Sequence, residues 1–185
     1  MGCMVNDIDK VVAACQRKEK WGQKALYDEF SPMLLGVCMR YTHSRDEAQD
    51  LLQEGFIKVF AKIGTVREPQ KVGAWMYAIM VRESINYVSR RLKVHYCDAQ
   101  QLDDSEQSTF AQPFDTDEFE VAEVVRALQK VPDLYRMAFN LRVVEELDYA
   151  DISEQLGIPE STARSAVARA RLLVVNILKK RKVIL

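Results

Sequence analysis

Apolar residues recur at steps of three and four along most of this chain, with polar residues between them. That period belongs to helices that bury one stripe and expose the rest. The clearest case follows Ser44-x-x-Glu47, a capping box that predicts a helix from Arg45. Ala48, Leu51, Leu52, Phe56, Val59, Phe60 and Ile63 form its apolar face, and Gln49, Asp50, Gln53, Glu54, Ile57 and Lys58 its outer one. Before it, Trp21 to Tyr41 reads as mostly helical, with a bend or break expected at Pro32. Gly64 to Val72 reads as a polar loop carrying Pro69. A second long helix is expected from about Gly73 to Lys93, with Ala74, Ala78, Val81, Ile85, Val88 and Leu92 as its core stripe.

The C-terminal third has a different punctuation. Val121 to Lys130 predicts one helix, and Pro132 opens the next. Asp148, with Asp151 three residues on, caps a short helix ending near Leu156. Gly157 supplies a turn, and Pro159 suits the first position of the following helix. In that last helix Ala163, Val167, Ala170, Val174 and Ile177 form the buried stripe. Arg164, Ser165, Ala168 and Arg169 then face outward, with Glu160, Ser161 and Thr162 at the N-terminal end. Two short helices around a glycine turn are helix-turn-helix grammar, which lets the second helix enter a major groove. Arginine reads guanine edges in pairs of bonds, and serine or threonine meets bases or phosphates. A basic helix of purely structural role is the plainer alternative; the preceding helix and turn favour DNA.

Composition supports helices. The 185 residues are 48% hydrophobic, with only 7 Gly and 5 Pro, too few for a turn-rich β fold. No apolar run approaches the roughly 20 residues that span a bilayer. Asp7 and Asp9 sit where a signal peptide would be apolar, so a cytoplasmic protein without membrane insertion is expected. Cys3, Cys15, Cys38 and Cys97 form no CxxC pair, and His95-x-Cys97 offers two ligands where a structural site needs four. Neither a metal nor a cofactor is expected. No P-loop, nucleophile elbow or paired acid and base stands out, so an enzyme is not expected either.

The net charge of −1 hides an uneven distribution. From Asp98 to Glu120 there are eight acids and no Lys or Arg, with Gln, Ser and Thr between them, which reads as a linker. All 26 basic residues lie outside it. The expected fold is therefore all-α: two small helical domains, 1–96 and 121–185, joined by an acidic flexible linker at 97–120, the second domain a helix-turn-helix. On the helix from Gly73, the flank of Trp75, Ile79, Arg82, Asn86 and Arg90 mixes an aromatic, an amide and cations. Such a mix suits single-stranded nucleic acid. Trp75 in the core, with the arginines a solvated end, is the alternative.

Both halves resemble one family. Ala25-Leu26-Tyr27, Arg40-Tyr41-Thr42, Asp46 through Phe56, Ala74 through Ile79 and Asn86-Tyr87 resemble region 2 of bacterial sigma-70-type sigma factors. Val131-Pro132, Tyr149 through Ser153, Gly157-Ile158-Pro159, Ser161 through Ser165 and Arg169-Ala170-Arg171 resemble region 4. The absence of a third domain between them resembles the extracytoplasmic-function (ECF) group.

The resemblance implies a factor that binds core RNA polymerase, directs it to promoters and helps melt them. It implies polymerase docking through Asp50, Gln53, Glu54, Ile57 and Lys58. The loop Gly64 to Val72 and the next helix would engage the −10 element, with a flipped base against the loop and with Arg67, Trp75, Arg82, Asn86, Arg90 and Arg91 holding the strand. Stacking and phosphate contacts would offset a melting cost of a few kcal/mol. Glu160, Ser161, Thr162, Arg164, Ser165, Ala168, Arg169 and Arg171 would read the −35 duplex. An anti-sigma factor is an implied partner, and the linker would thread toward the polymerase active-site channel. Three positions depart from the family pattern: Ala166, where an arginine is frequent, Ala168, where a bulkier residue is, and Arg82, where asparagine is. The two alanines suggest fewer −35 contacts. A stand-alone helix-turn-helix regulator is the alternative, and an adaptor binding only proteins a further one; the outward arginines speak against the adaptor.

Overall fold

The computed structural model describes the backbone of residues 7–96 and 120–182 and the side chains of 7–92 and 120–180. The expected linker, 97–120, lies outside these residues but for Glu120, as do Cys3, Cys97 and the side chain of His95. Eight α-helices are described and, among the described residues, no strand. The chain forms two compact units, Met1–Tyr87 and Val88–Leu185, and the division falls within a helix.

In the first unit α1 (Ile8–Gln16) packs on α2 (Lys20–Tyr41), and α2 packs on α3 (Arg45–Lys62). α1 is capped by the Asp7 carboxylate, which accepts the Lys10 N–H at 3.3 Å. It lies so close to α2 that a methyl at Gly22 would stand 2.6 Å from Ala14 Cβ. α2 runs unbroken through Pro32. Pro32 is exposed, and so is Asp28, whose carbonyl loses its helical partner; the unmet group is on the watered side, so the helix continues.

α3 begins where its capping box predicts. Ser44 Oγ accepts the Glu47 N–H at 3.1 Å, and the Glu47 carboxylate accepts the His43 N–H at 3.0 Å. Ala48, Leu51, Leu52, Phe56, Val59 and Ile63 are buried, and Phe60 is half-buried. Each large side chain on this face contributes on the order of 2 kcal/mol by leaving water. Two short 3₁₀ turns, Ile63–Thr65 and Pro69–Lys71, fill the connection to α4 (Val72–Tyr96).

α4 does not bury the stripe its apolar residues predict. Ala74 and Ala78 are exposed, Val81 and Ile85 half-buried. The buried positions are Val72, Met76, Met80, Glu83, Ser84 and Val88. Two polar residues disguise this face. Ser84 turns its hydroxyl back to the Met80 carbonyl at 2.8 Å, and Glu83 is ion-paired with Lys58 of α3. The long methionines cover more area than the alanines opposite, so the helix buries them instead.

In the second unit α8 (Glu160–Lys182) packs on α5 (Val121–Leu128), α6 (Asp133–Phe139) and α7 (Tyr149–Leu156). One cluster holds Leu128, Val131, Phe139, Ala170, Val174 and Leu178; another holds Leu134, Ala138, Ala166 and Val167. Between α5 and α6, Arg136 is 1% exposed. It pairs with Asp133 and donates to the carbonyls of Val131 at 3.3 Å and Gln129 at 3.5 Å, closing the turn that Pro132 opens. α6 continues as a π-helical turn, Asn140–Val144.

Candidate nucleic-acid interface

The N-terminal end of α8 is positioned by α7 and the turn between them. Asp148 caps α7 by accepting the Asp151 N–H at 2.8 Å. Gly157 then takes left-handed backbone, φ 64° and ψ 35°, which reverses the chain. Ser153 fastens the turn twice: its carbonyl accepts the Ile158 N–H at 3.2 Å, and its hydroxyl donates to the Ile158 carbonyl at 2.6 Å. α8 starts at Glu160, one residue later than expected. Pro159 stands just ahead of it, and its carbonyl accepts the Ala163 N–H at 3.0 Å.

Glu160, Ser161, Arg164 and Ser165 are exposed at the start of α8, and Thr162, Ala168, Arg169 and Arg171 are half-buried. The arginines are held. Arg164 is ion-paired with Glu160, and its guanidinium lies 4.4 Å over the Tyr149 ring. Arg142 approaches the same ring at 5.2 Å and donates to the Leu147 carbonyl at 3.0 Å. The ring thus carries two cations, an arrangement that fixes guanidinium planes. Arg169 turns back onto α6, donating to the Tyr135 hydroxyl at 3.0 Å, so it is not the free outward arginine that spacing alone suggested. Ala166 is 1% exposed in the core. A small side chain there fits packing against Leu134 and Ala138.

On α4, Trp75 and Ile79 are half-buried and Arg82, Asn86 and Arg90 exposed, making a strip along one flank. Arg91 is half-buried, with Nε 3.4 Å from the Asp133 carboxylate. Arg67 is exposed in the loop before α4. Asp50, Gln53, Glu54, Ile57 and Lys58 share the outer face of α3, and all are exposed. Ile57 is the apolar member of that face, at 69% exposure. The Lys58 ammonium is ion-paired with the buried Glu83.

Sequence reasoning passed over α1 and its side chains. Gln16 Nε2 donates to the carbonyls of Ile63 at 3.3 Å and Val66 at 3.1 Å, and Gln70 Nε2 donates to Asp9 at 3.0 Å. Val11, Val12, Ala14 and Cys15 carry a buried face that signals the helix, but no spacing signals its grip on a loop some fifty residues away.

Comparison with known proteins accounts for both units. Residues 26–94 match the family model described as Sigma-70 region 2, and residues 122–174 the one described as Sigma-70, region 4. The chain is 30% identical to the RNA polymerase sigma-H factor of Pseudomonas aeruginosa, over 88% of this chain and 89% of that protein. It is 29% identical to the ECF RNA polymerase sigma-E factor of Haemophilus influenzae, over 90% and 92%. It is 30% identical to the RNA polymerase sigma factor YlaC of Bacillus subtilis, over 85% and 92%. Among solved structures it is similar to the sigma factor RpoE of Bartonella quintana in complex with the anti-sigma factor NepR, at 22% identity and TM-score 0.47, over 84% of this chain and 96% of that one. Two helical regions, one of them a helix-turn-helix, define a transcription initiation factor. The chain belongs to the sigma-70 family, within its ECF group.

Among the described residues, no helix is long and apolar enough to cross a membrane.

Proposed function

We propose that this ECF sigma factor divides promoter recognition between its two helical parts, 1–96 and 121–185, joined by the acidic linker 97–120. Asp50, Gln53, Glu54 and Ile57 dock on core RNA polymerase, with Lys58 at the rim. Arg67, Trp75, Arg82, Asn86 and Arg90 engage the opened −10 strand, where cations meet phosphates and the indole offers a stacking face. Ser161, Arg164 and Ser165 read the −35 duplex from the start of α8, where the helix dipole also favours phosphate. Stacking and phosphate contacts to the opened strand, with the duplex held at the −35 element, offset the melting of the few base pairs at the −10 element. The protein acts in the cytoplasm, without catalysis of its own, and an anti-sigma factor would have to cover these same faces to silence it.

The observation that carries this reading is the coexistence in one chain of two exposed polar faces: the outer side of α3, with Ile57 at 69% exposure, and the Arg164–Ser165 surface of α8. A regulator acting alone has no use for the first.

Transcription with purified core polymerase, on fragments from the chain's own genome, tests it. Promoter-specific transcripts should require the protein. Arg164→Ala should lower −35 duplex affinity about ten-fold while core affinity holds. Gln53→Ala with Glu54→Ala should do the reverse. DNA binding without any protein-dependent transcript would point to a stand-alone regulator instead.

A further inference from the structure

The loop between α3 and α4 is pinned at both ends by the first helix of the chain. At its start, the Gln16 amide donates to two carbonyls, Ile63 at 3.3 Å and Val66 at 3.1 Å. At its end, the Gln70 amide donates to the Asp9 carboxylate at 3.0 Å. Asp9 and Gln16 stand two turns apart on α1, and the loop contacts that helix through both of its 3₁₀ turns. Between the pins, Arg67 and Glu68 are exposed at the loop's apex. The loop has little packing of its own, since Ile63 is its one fully buried side chain. Its local bonds, Thr65 Oγ1 donating to the Lys62 carbonyl at 2.8 Å and Lys71 pairing with Glu68 at 2.7 Å, shape each end, and the pins to α1 add the long-range hold.

We infer that Gln16 is a specificity-positioning residue, and that α1 works as a brace holding the 64–71 loop in the form that discriminates the −10 bases. This rests on the reading that the loop faces the −10 strand. A loop free to flex would accept several bases at its apex, because the geometry that favours one over another would be averaged away. A braced loop keeps one geometry and rejects the others. Gln16 touches no DNA in this scheme; it acts through the carbonyls it holds.

Base preference is the test. Full-length protein is assayed with core polymerase on a promoter set carrying all four bases at each −10 position. Gln16→Glu keeps the size of the side chain but removes both N–H donors and sets a negative charge against two carbonyls. It should flatten the preference at the most selective −10 position about five-fold, with thermal midpoint, core affinity and −35 duplex affinity held. Gln16→Arg restores an N–H at the same distance along the side chain and should restore the preference. Should Gln16→Glu prove unstable, Gln70→Ala releases the other pin and should flatten the preference in the same way. An unchanged preference in Gln16→Glu or Gln70→Ala would overturn the brace. So would a fall in core affinity or thermal midpoint matching the whole loss, which would make Gln16 merely structural. Arg67→Ala with Glu68→Ala separates the premise: if that pair leaves the preference intact, the loop does not face the −10 bases, and the reading beneath the inference fails first.

Discussion

Lys58 of α3 is ion-paired with Glu83 of α4, and while the lysine is half exposed, the glutamate is 7% exposed. A carboxylate so little watered depends on its partner. Lys58→Met should therefore destabilise the first unit by about 1–3 kcal/mol, read as a lower denaturant midpoint. Adding Glu83→Gln should return part of that loss, since the orphaned charge is gone. A midpoint unmoved by Lys58→Met would mean that the pair adds nothing. The point bears on polymerase docking as well: a Lys58 variant with weak core affinity has to be compared with wild type at equal folded fraction.

Arg136 closes the turn between α5 and α6 from inside the core. Arg136→Ala would remove one of the two cations at the Asp133 carboxylate, leaving Arg91 at 3.4 Å, and would take away the donor to the carbonyls of Val131 and Gln129. A loss of about 3 kcal/mol is expected, read as a lower melting midpoint of the second unit. Arg136→Lys keeps the charge without the fork and should fall between the two. Circular dichroism melting of the three proteins orders them. Equal melting of wild type and Arg136→Ala would assign the turn's stability to Pro132 and the apolar clusters alone.

Gly157 needs its left-handed backbone but has empty space around its Cα, with nothing within 4 Å of an added Cβ. Gly157→Ala should cost about 1–2 kcal/mol, all of it conformational. Gly157→Asn should cost less, because asparagine tolerates this region better than alanine. If the two variants cost the same, the strain argument for the turn fails.

Cys38 lies at the centre of the first unit, and burial pushes its thiol up to about 12; burial raises the Cys15 thiol too. The folded state therefore keeps protons that the unfolded chain releases once pH exceeds the ordinary thiol value of 9.0. Stability should be complete below that value and fall as pH rises from it toward 12. Denaturation midpoints at pH 8 and pH 10 should differ less in Cys38→Ala than in wild type. With Cys3 and Cys97 changed to serine, thiol reagent should react only as fast as the protein opens. Rapid reaction of the folded protein would contradict the burial.

The parts of this fold that were legible in sequence are those where local chemistry and tertiary packing agree. α3 has a cap, a clean apolar stripe and a polar outer face, and each appears where expected. The turn at Gly157 follows from one residue type and one cap. α4 was misread because Glu83 is buried through a partner 25 residues earlier, which no local pattern encodes. Arg169 occupies an outward position by spacing, yet its long side chain bends back to a phenol on another helix. For the same reason Gln16 gave no signal: an exposed glutamine on a short helix has meaning only once the loop is beside it. Position along a helix is local information, whereas the direction in which a long polar side chain is drawn depends on the whole fold.

The π-helical turn at Asn140–Val144 sets the direction in which the chain leaves α6. Its wider loop, with the Glu145 N–H reaching the Asn140 carbonyl at 3.0 Å, holds one residue more than an α-helical turn would. The chain then takes left-handed backbone at Glu146, φ 58°, on the way to Asp148. Deleting one residue here would leave the helix intact as ordinary α-helix but swing its exit by about 100° around the axis. The surplus residue thus works as an angular setting: it fixes the compass bearing at which the chain leaves α6 toward the helix-turn-helix.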